Sequence, residues 1–241
     1  MNNNPKSKFA QNIAIIPDGN RRYAQMKSIS LPKAYTAGVS KVNQVANWAL
    51  EEKLKSMTFW ALSLENLQKR SSIEITMLYR LMEKQIDEAL KSEEFTSKDI
   101  KVNFFGKKEL LPVGLIKKLN KLEEKTLDNN LLELNVAIAY SGQDELLTAT
   151  KSIATDIING KLSLNDLNSI DNLTFQKYLY LDTLPDLIIR TGKVQRLSGF
   201  LPFQSAYSEY YFCQSLWPEF TRTDFSNALE FYKKTNRRFG K

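Results

Sequence analysis

Short apolar segments alternate with longer amphipathic ones along this 241-residue chain, and the alternation restricts its fold more than any other feature. The short segments predict strands near residues 12–17, 57–63, 101–105, 133–139, 186–190 and 208–213. Helical periodicity in the segments between them predicts helices near residues 36–53, 72–92, 112–128, 142–158 and 223–236. Strands separated by helices build βαβ units. We therefore expect an α/β fold with a mainly parallel sheet, and one domain over residues 1–241 because no linker or repeat interrupts the chain.

The helix predicted near 72–92 has apolar residues on two of its sides. At three- and four-residue spacing, one side carries Ile75, Leu78, Met82, Ile86 and Ala89. The other side carries Ile73, Met77 and Leu81. A helix that borders solvent needs only one apolar face, so the second side requires a partner of its own. Ordinary burial, a dimer contact and the wall of a lipid-binding tunnel would each provide that partner.

The chain has no histidine and a single cysteine, Cys213, and these two counts narrow its chemistry. They exclude Ser-His-Asp and Cys-His catalysis, a disulfide framework, and zinc sites built from histidine or from several cysteines. Cys213 stands in the apolar-aromatic run YYFC, which predicts a buried structural thiol. A catalytic metal would therefore have oxygen ligands, which favours Mg²⁺.

The formal net charge of +7 is compatible with nucleic acid, phosphorylated metabolites or an anionic membrane surface as partners. Because the lysines are spread along predicted helices and no nucleic-acid-binding motif occurs, we expect no nucleic acid partner. The first residues are polar and lack the apolar core of a signal peptide, and no apolar run is long enough to span a bilayer. We therefore expect a cytoplasmic protein.

Residues 15–24 read IIPDGNRRYA and combine a strand, a glycine turn and the start of a helix. Such a junction collects free backbone N–H groups and the positive end of the helix dipole, where a phosphate can bind. Arg21 and Arg22 add charge-assisted donors. Asp18 would repel a diphosphate unless a cation lay between them, so the motif predicts a bridging Mg²⁺. An Asp-Gly hairpin turn is the alternative, and the helical pattern that follows disfavours it.

Three further segments place polar side chains at or near predicted strands. Ser63-Leu64-Glu65-Asn66 follows the second strand, where it forms either part of a ligand site or a helix cap before 72–92. Arg190, Arg196 and Ser198 end or follow the fifth strand, and they suit either a second anionic group or a plain surface loop. Glu209 stands in an apolar-aromatic strand, which indicates metal binding or an ion pair with Arg190 or Arg196.

The order of these segments resembles the cis-prenyltransferase family, which includes bacterial undecaprenyl diphosphate synthase and eukaryotic dehydrodolichyl diphosphate synthase. The resemblance extends from about residue 9 to residue 240. Its blocks are DGNRRYA at 18–24, SLEN at 63–66, NVAIAYSG at 135–142, DLIIRTG at 186–192, RLSGFLPFQSAYSEYYF at 196–212 and LWPEF at 216–220. Several blocks in one order are far more specific than any single block.

The resemblance implies a six-stranded, mainly parallel sheet flanked by helices, an apolar tunnel and a homodimer. It implies an enzyme that condenses isopentenyl diphosphate with an allylic diphosphate, uses Mg²⁺ and makes a polyprenyl diphosphate as a lipid-carrier precursor. It also implies transient contact with a membrane surface for product release. Asp18 and Asn66 would be catalytic, and Asp18 and Glu209 would bind the metal. The implied substrate-binding residues are Gly19, Asn20, Arg21, Arg22, Tyr23, Ser63, Glu65, Arg190, Arg196, Ser198, Arg238 and Gly240.

The same resemblance divides these residues between two substrates. Residues 19–22 would hold the allylic diphosphate, whereas Arg190, Arg196 and Ser198 would hold isopentenyl diphosphate. Arg238 and Gly240 match a C-terminal Arg-x-Gly that reaches a diphosphate across the dimer. Cationic complementation of a helix C-terminus is the alternative role for this tail.

The chain departs from the family pattern chiefly on the allylic side. Leu31 and Tyr35 stand where the family has an arginine and a histidine that serve the allylic diphosphate. We therefore expect weak or altered use of the usual starter, farnesyl diphosphate. A divergent enzyme that makes short or irregularly joined prenyl diphosphates is an alternative, and a non-catalytic partner subunit is another. The presence of Asp18 and Glu209 counts against the subunit.

Overall fold

One six-stranded sheet organises the chain, and every neighbouring pair of its strands is parallel. The computed structural model describes residues 8–235, apart from the side chain of Leu164. The strands are β1 (Asn12–Ile16), β2 (Ser56–Ser63), β3 (Ile100–Phe105), β4 (Leu132–Tyr140), β5 (Leu187–Arg190) and β6 (Glu209–Phe212). The predicted parallel α/β sheet is confirmed, and each predicted strand end lies within one residue of the observed one.

Helices connect the strands and cover the sheet. The α-helices among the described residues are α1 (Asn20–Met26), α2 (Leu31–Glu51), α3 (Leu64–Lys69), α4 (Ser72–Lys91), α5 (Glu94–Ser97), α6 (Val113–Lys125), α7 (Gly142–Ile158), α8 (Leu164–Leu167), α9 (Asn172–Gln176) and α10 (Arg222–Lys234). Two 3₁₀ turns lie at Lys108–Leu110 and Trp217–Glu219. Between residues 8 and 235, no helix combines the length and the apolarity that crossing a bilayer requires.

Two differences from the predicted helices have local causes. Helix α2 begins at Leu31 instead of near residue 36, because Pro32 stands in its first turn, where a missing N–H costs no hydrogen bond. Helix α3 was not predicted, because six residues offer too few positions for a periodic pattern. The short α3 separates the end of β2 from α4. A helix cap at the SLEN segment therefore belongs to α3 and not to α4.

The strand order is β3-β4-β2-β1-β5-β6, which puts β1 near the centre of the sheet. The chain continues from β1 to β2 on one side, and it later returns to β5 on the other side. In open parallel sheets, ligands bind beyond the carboxyl ends of the strands where the winding direction reverses in this way. The segments that follow β1 and β5 are those that contain Asp18 and Thr191.

Strand β1 is buried from Ile13 to Ile16 because both faces of the sheet are covered. Ile13 and Ile15 belong to the larger core cluster, which includes residues of α2, α4, α6 and α10. Ala14 and Ile16 belong to a smaller cluster on the other face, together with Phe200. Alternate side chains of a strand point to opposite faces, so an unbroken apolar run such as IAII is typical of a central parallel strand.

The two apolar sides of α4 have different surroundings. Ile75, Leu78 and Ile86 are buried, as the first side predicts. On the second side, Leu81 lines an internal cavity and Met77 packs against the larger core cluster. Ile73 is 82% exposed. Burial and a cavity wall therefore account for most of the second side, and its first residue remains on the surface.

Candidate active site

A carboxylate and two guanidiniums meet at the carboxyl ends of β1 and β5. Asp18 lies two residues after β1, Arg190 ends β5, and Arg22 lies in the first turn of α1. One Asp18 carboxylate oxygen accepts a hydrogen bond from Arg22 at 2.8 Å, and the other accepts one from Arg190 at 3.0 Å. The Arg190 side chain is 6% exposed and that of Asp18 is 29% exposed. Parallel strands thus bring together residues that are 172 positions apart in sequence.

The backbone around Asp18 is held by the segments that follow β5 and β6. The Asp18 carbonyl oxygen accepts hydrogen bonds from the Thr191 hydroxyl at 2.8 Å and from the Trp217 N–H at 3.0 Å. Gly19 has φ of +120°, and a methyl group there would lie 2.9 Å from a side-chain carbon of Leu216. Glycine is therefore required both by the backbone conformation and by the close approach.

Helix α1 begins at this turn and leaves its first N–H groups free. The first helical hydrogen bond runs from the Tyr23 N–H to the Gly19 carbonyl oxygen at 2.8 Å, so the amides of residues 20–22 have no intrahelical partner. The buried Asn20 Oδ1 has no hydrogen-bond partner among the described residues. Arg21 is exposed at the cavity mouth. Tyr23 is not among the cavity-lining residues, and its ring lies 5.9 Å from the Lys27 ammonium.

Arg190 also organises the loop that follows β5. Its guanidinium donates to the Ser198 hydroxyl at 2.9 Å and to the backbone carbonyl of Arg196. Its buried Nε has no partner among the described residues. Ser198 lines the cavity, whereas the Arg196 side chain is exposed and is not part of the lining. The structure therefore brings Arg190 and Ser198 to Asp18, and it brings Arg196 there only through its backbone.

The SLEN segment is both a helix cap and part of the cavity wall. The Ser63 hydroxyl accepts a hydrogen bond from the Asn66 N–H at 3.0 Å and caps α3. Ser63, Glu65 and Asn66 all line the cavity that begins at Asp18. The predicted cap is therefore present on α3, whereas α4 is capped by Ser71.

Glu209 is not part of this cluster in its own chain. It is the first residue of β6 and pairs with Leu187, the first residue of β5, whereas Arg190 pairs with Phe212 at the other end. Three residues of strand correspond to about 10 Å. The alternative role of Glu209, an ion pair with Arg190 or Arg196, is not observed among residues 8–235. Arg238 and Gly240 lie outside the described residues.

A cavity of about 830 Å³ extends from the Asp18 cluster into the fold, between the sheet and the helices α2 and α4. Its mouth is polar and cationic, because Asp18, Arg21, Arg22, Arg70 and Arg190 line it. Its deeper walls are mostly apolar and include Leu78, Leu81, Met82, Ile86, Phe95, Val102, Phe104, Leu122, Leu134 and Val136. A charged mouth that opens into an apolar interior suits an amphiphile with an anionic head and a hydrocarbon tail.

A second polar cluster lies on the α2–α4 side of the mouth. The Tyr35 hydroxyl donates to Glu74 at 3.0 Å and accepts from Arg70 at 2.8 Å. Arg70 also pairs with Glu74 at 3.2 Å. Burial raises the pKa of Tyr35 to about 12, so its phenol stays protonated. Sequence reasoning did not assign Arg70 or Glu74, and their four-residue spacing was the one local signal that could have identified them.

A buried carboxyl supports the loop that carries Ser198. Glu145 has no exposed surface, and it accepts hydrogen bonds from the Tyr140 hydroxyl at 2.7 Å and from the Tyr180 N–H at 2.8 Å. Gln204 donates to the same carboxyl at 3.1 Å. Burial raises the pKa of Glu145. Sequence reasoning did not identify this network, because its members come from distant segments.

Protein oxygen ligands for a metal are few at the mouth. No group of three or more histidine, cysteine or acidic side chains arranged for a metal occurs in residues 8–235. Asp18 offers a carboxylate and Asn20 offers a buried carbonyl oxygen that lacks a partner. Mg²⁺ is commonly bound by one or two carboxylates together with substrate phosphates, so this sparse set fits Mg²⁺ if a diphosphate supplies the remaining ligands.

The chain is similar to known prenyl diphosphate synthases along nearly all of its length. A family model described as "Putative undecaprenyl diphosphate synthase" matches residues 16–240. A Sulfurisphaera tokodaii protein named tritrans,polycis-undecaprenyl-diphosphate synthase (geranylgeranyl-diphosphate specific) is 39% identical over 234 residues, which cover 96% of this chain and 88% of that protein. A Thermoplasma acidophilum protein with the same name is 40% identical over 233 residues, which cover 96% of this chain and 89% of that protein.

A solved structure of similar sequence has nearly the same fold. It is lavandulyl diphosphate synthase from Lavandula x intermedia in complex with dimethylallyl diphosphate. The TM-score is 0.91 at 31% sequence identity, and the match covers 97% of this chain and 99% of that one.

Proposed function

The chain belongs to the cis-prenyltransferase family and is a prenyl-transferring enzyme, and we propose that it extends geranylgeranyl diphosphate with isopentenyl diphosphate. In each cycle the terminal alkene carbon of isopentenyl diphosphate bonds to C1 of the allylic substrate. The allylic C–O bond breaks, diphosphate leaves with the bonding electron pair, and the added unit loses a proton. The observation that carries this proposal is the cationic mouth joined to an apolar cavity of about 830 Å³.

Arg22 and the first turn of α1 are proposed to bind the allylic diphosphate. The amide N–H groups of residues 20–22 are free, and Arg21 and Arg22 both line the mouth. Amides at a helix start and guanidiniums together make a strong diphosphate site. The hydrocarbon chain would then extend along the apolar walls, which places the reacting C1 atom at the mouth beside Asp18, Ser63 and Asn66.

Arg190 and Ser198 are proposed to bind the diphosphate of isopentenyl diphosphate. Their mutual hydrogen bond places both groups on the β5 side of Asp18. Arg196 is exposed next to Ser198, from where its guanidinium would turn inward onto the same anion. Two diphosphates held on opposite sides of Asp18 would bring the alkene carbon and the allylic carbon together.

Asp18 is proposed to hold Mg²⁺ together with phosphate oxygens of the substrates. Bound there, the ion would offset the negative charge that builds on the leaving diphosphate. Arg22 and Arg190 occupy both carboxylate oxygens of Asp18 in the described structure. Because guanidiniums also bind diphosphate strongly, an incoming substrate would draw them away from Asp18 and free its oxygens.

The choice of starter follows the names of the relatives. The two archaeal relatives at 39% and 40% identity are described as geranylgeranyl-diphosphate specific. Weak or altered use of farnesyl diphosphate is also expected from the allylic side, where Leu31 and Tyr35 stand in place of the arginine and histidine that serve the allylic diphosphate in the family pattern.

An incorporation assay tests the function and the starter together. The purified protein is incubated with Mg²⁺, labelled isopentenyl diphosphate and, separately, dimethylallyl, geranyl, farnesyl or geranylgeranyl diphosphate, and product masses are measured. We expect a ladder of long products, formed fastest from geranylgeranyl diphosphate. Equal turnover with farnesyl diphosphate would contradict the proposed starter, and no incorporation with any starter would contradict the function.

A short or irregularly joined product is the second candidate, because the neighbour with TM-score 0.91 is a lavandulyl diphosphate synthase. The depth of the cavity favours elongation, since a short product would leave the apolar walls near Phe95 and Leu122 uncovered. The same product masses distinguish the two candidates.

We propose that the enzyme acts as a homodimer. The edge strand β6 exposes Tyr210, and Tyr207 just before it is 72% exposed. Exposed aromatic side chains beside a strand edge that pairs with no strand in residues 8–235 favour association with a second copy. In such a dimer, as the family resemblance implies, the tail residues Arg238 and Gly240, which lie outside the described residues, would serve a diphosphate of the other subunit. Light scattering after size-exclusion chromatography should give twice the chain mass, and a monomer would contradict the proposal.

We also propose that this otherwise cytoplasmic protein contacts a membrane surface transiently. The exposed Ile73 lies in a shallow groove on α4 that Arg80 and Lys84 also line. A groove that combines an exposed apolar residue with two cations suits an anionic lipid surface, where a hydrocarbon product could leave. Sedimentation with vesicles that contain an anionic lipid should exceed sedimentation with neutral vesicles, and Ile73→Asp should remove the difference.

A further inference from the structure

Arg70 depends on tertiary contacts for its position, because it stands between two helices. It is the first residue after α3, and the next residue, Ser71, already caps α4. An arginine side chain at such a junction has many accessible rotamers, and fixing it costs conformational entropy. The structure fixes it through Tyr35, which lies in α2 and is 35 residues away in sequence.

The hydroxyl of Tyr35 links a cation to an anion. It accepts a hydrogen bond from Arg70 Nη1 at 2.8 Å and donates one to Glu74 Oε1 at 3.0 Å. The same Glu74 oxygen lies 3.2 Å from Arg70 Nη1, so the three groups form a closed triangle. Side-chain exposures of 17% for Arg70 and 12% for Glu74 reduce screening of this pair by solvent.

The triangle uses Nη1 of Arg70 and leaves the buried Nε N–H without a partner among the described residues. Arg70 Nε is buried and has no hydrogen-bond acceptor among the described residues, although Arg70 and Tyr35 both line the cavity. A buried N–H without an acceptor is costly unless a ligand supplies one. Arg21, which also lines the mouth, is close enough to Tyr35 to influence its ionisation. The free N–H therefore belongs to a cationic part of the cavity.

We propose that Tyr35 and Glu74 are positioning residues that hold Arg70 ready to donate to the allylic diphosphate. Tyr35 fixes the Nη1 end of the guanidinium, and Glu74 balances its charge until an anion binds. Tyr35 thus acts indirectly, because its phenol contacts Arg70 and Glu74. This inference rests on the proposed function of the same cavity.

The decisive variant is Tyr35→Phe, which removes one oxygen and leaves the ring that packs against the core. Loss of a hydrogen bond to a charged group corresponds to roughly a tenfold loss of affinity. We expect the KM for geranylgeranyl diphosphate to rise about tenfold, whereas the KM for isopentenyl diphosphate changes less than twofold. Tyr79→Phe is the matched control, because Tyr79 is a partly buried tyrosine on α4 that does not line the cavity. It should leave both constants unchanged.

A binding measurement without turnover separates this inference from the proposed function. Calorimetry with the unreactive analogue geranylgeranyl thiodiphosphate, and separately with isopentenyl diphosphate, is done on the wild type, Tyr35→Phe and Glu74→Gln. Weaker analogue binding by both variants, with unchanged binding of isopentenyl diphosphate, would support the positioning role. Unchanged analogue binding, or equal losses for both ligands, would overturn it.

Two further outcomes are also decisive. If Tyr35→Phe does not fold, Glu74→Gln alone decides, because it keeps the size of the side chain and removes only its charge. A wild-type protein that binds neither ligand would overturn the proposed function, and with it the inference. Wild-type binding that Glu74→Gln leaves unchanged would overturn the inference alone.

Discussion

The contact between α7 and the loop after β5 allows a direct test of how the substrate loop is supported. Gly142 is the first residue of α7, and its N–H donates to the Gly199 carbonyl oxygen at 3.1 Å. A methyl group added at Gly142 would lie 2.1 Å from Pro202 Cδ and 2.4 Å from that carbonyl oxygen. Neither neighbour is the end of a flexible chain, so Gly142→Ala must displace the loop that carries Ser198.

The expected loss of stability combines two opposing effects. Overpacking of this kind costs about 1–3 kcal/mol, whereas Gly→Ala in a helix returns about 0.5–1 kcal/mol. We therefore expect Gly142→Ala to lower the free energy of unfolding by about 1–2 kcal/mol. In a chain of this length that corresponds to a fall in Tm of roughly 3–6 °C.

Gly114→Ala in α6 is the matched control, because a methyl group there would meet nothing within 4 Å. It should keep or raise the stability, since only the helix effect remains. Urea unfolding followed by circular dichroism measures both variants. The KM for isopentenyl diphosphate should rise for Gly142→Ala only. Equal free energies of unfolding for the two variants would refute the steric argument, and a normal KM would refute the link to the substrate loop.

Three other outcomes follow from the site. Asp18→Asn should reduce incorporation of isopentenyl diphosphate about a hundredfold while circular dichroism shows an unchanged fold, and near-normal turnover would remove Asp18 from the mechanism. Ala89→Phe should shift the product masses to shorter chains, because Ala89 lines the cavity and a ring there fills its interior; an unchanged distribution would contradict growth along this wall. The raised pKa of Glu145 means that the native state binds this proton more tightly than the unfolded chain, so the contribution of this carboxyl to stability is full at low pH and is lost as the pH rises through the raised value. The free energy of unfolding of the wild type should therefore exceed that of Glu145→Gln by less and less as the pH rises above about 4.5. A difference that grows with pH would contradict the raised pKa of Glu145.

The local residue pattern was sufficient to predict the strands and the position of the cluster around Asp18. Apolar runs such as that of β1 identify strands because both faces of a parallel sheet are covered. Parallel strands then require Asp18 and Arg190 to meet at one edge, since each stands at the carboxyl end of its strand. The predicted strand over 208–213 also placed Glu209 near its start, and that position alone puts Glu209 away from Asp18 once the strands are parallel.

Residues whose role depends on distant partners could not be predicted in the same way. Nothing local distinguishes Glu145 from an ordinary surface glutamate of α7, because its three donors come from β4, from the segment before β5 and from the loop after it. Arg70 also depends on a distant partner, because apart from its four-residue spacing from Glu74 it looks like a solvated helix end until Tyr35 contacts it from α2.

The amino-acid sequence by itself therefore determined the parallel α/β fold, the family and the cluster around Asp18, because periodicity, turn chemistry and strand ends are local properties. Tertiary structure alone decided that Arg22 and Arg190 form hydrogen bonds with the two carboxylate oxygens of Asp18 and that α4 lines a cavity of about 830 Å³. It also decided that the Tyr35 hydroxyl forms hydrogen bonds with Arg70 and Glu74. These outcomes depend on distances between side chains that are far apart in sequence, and such distances exist only after the helices have packed on the sheet.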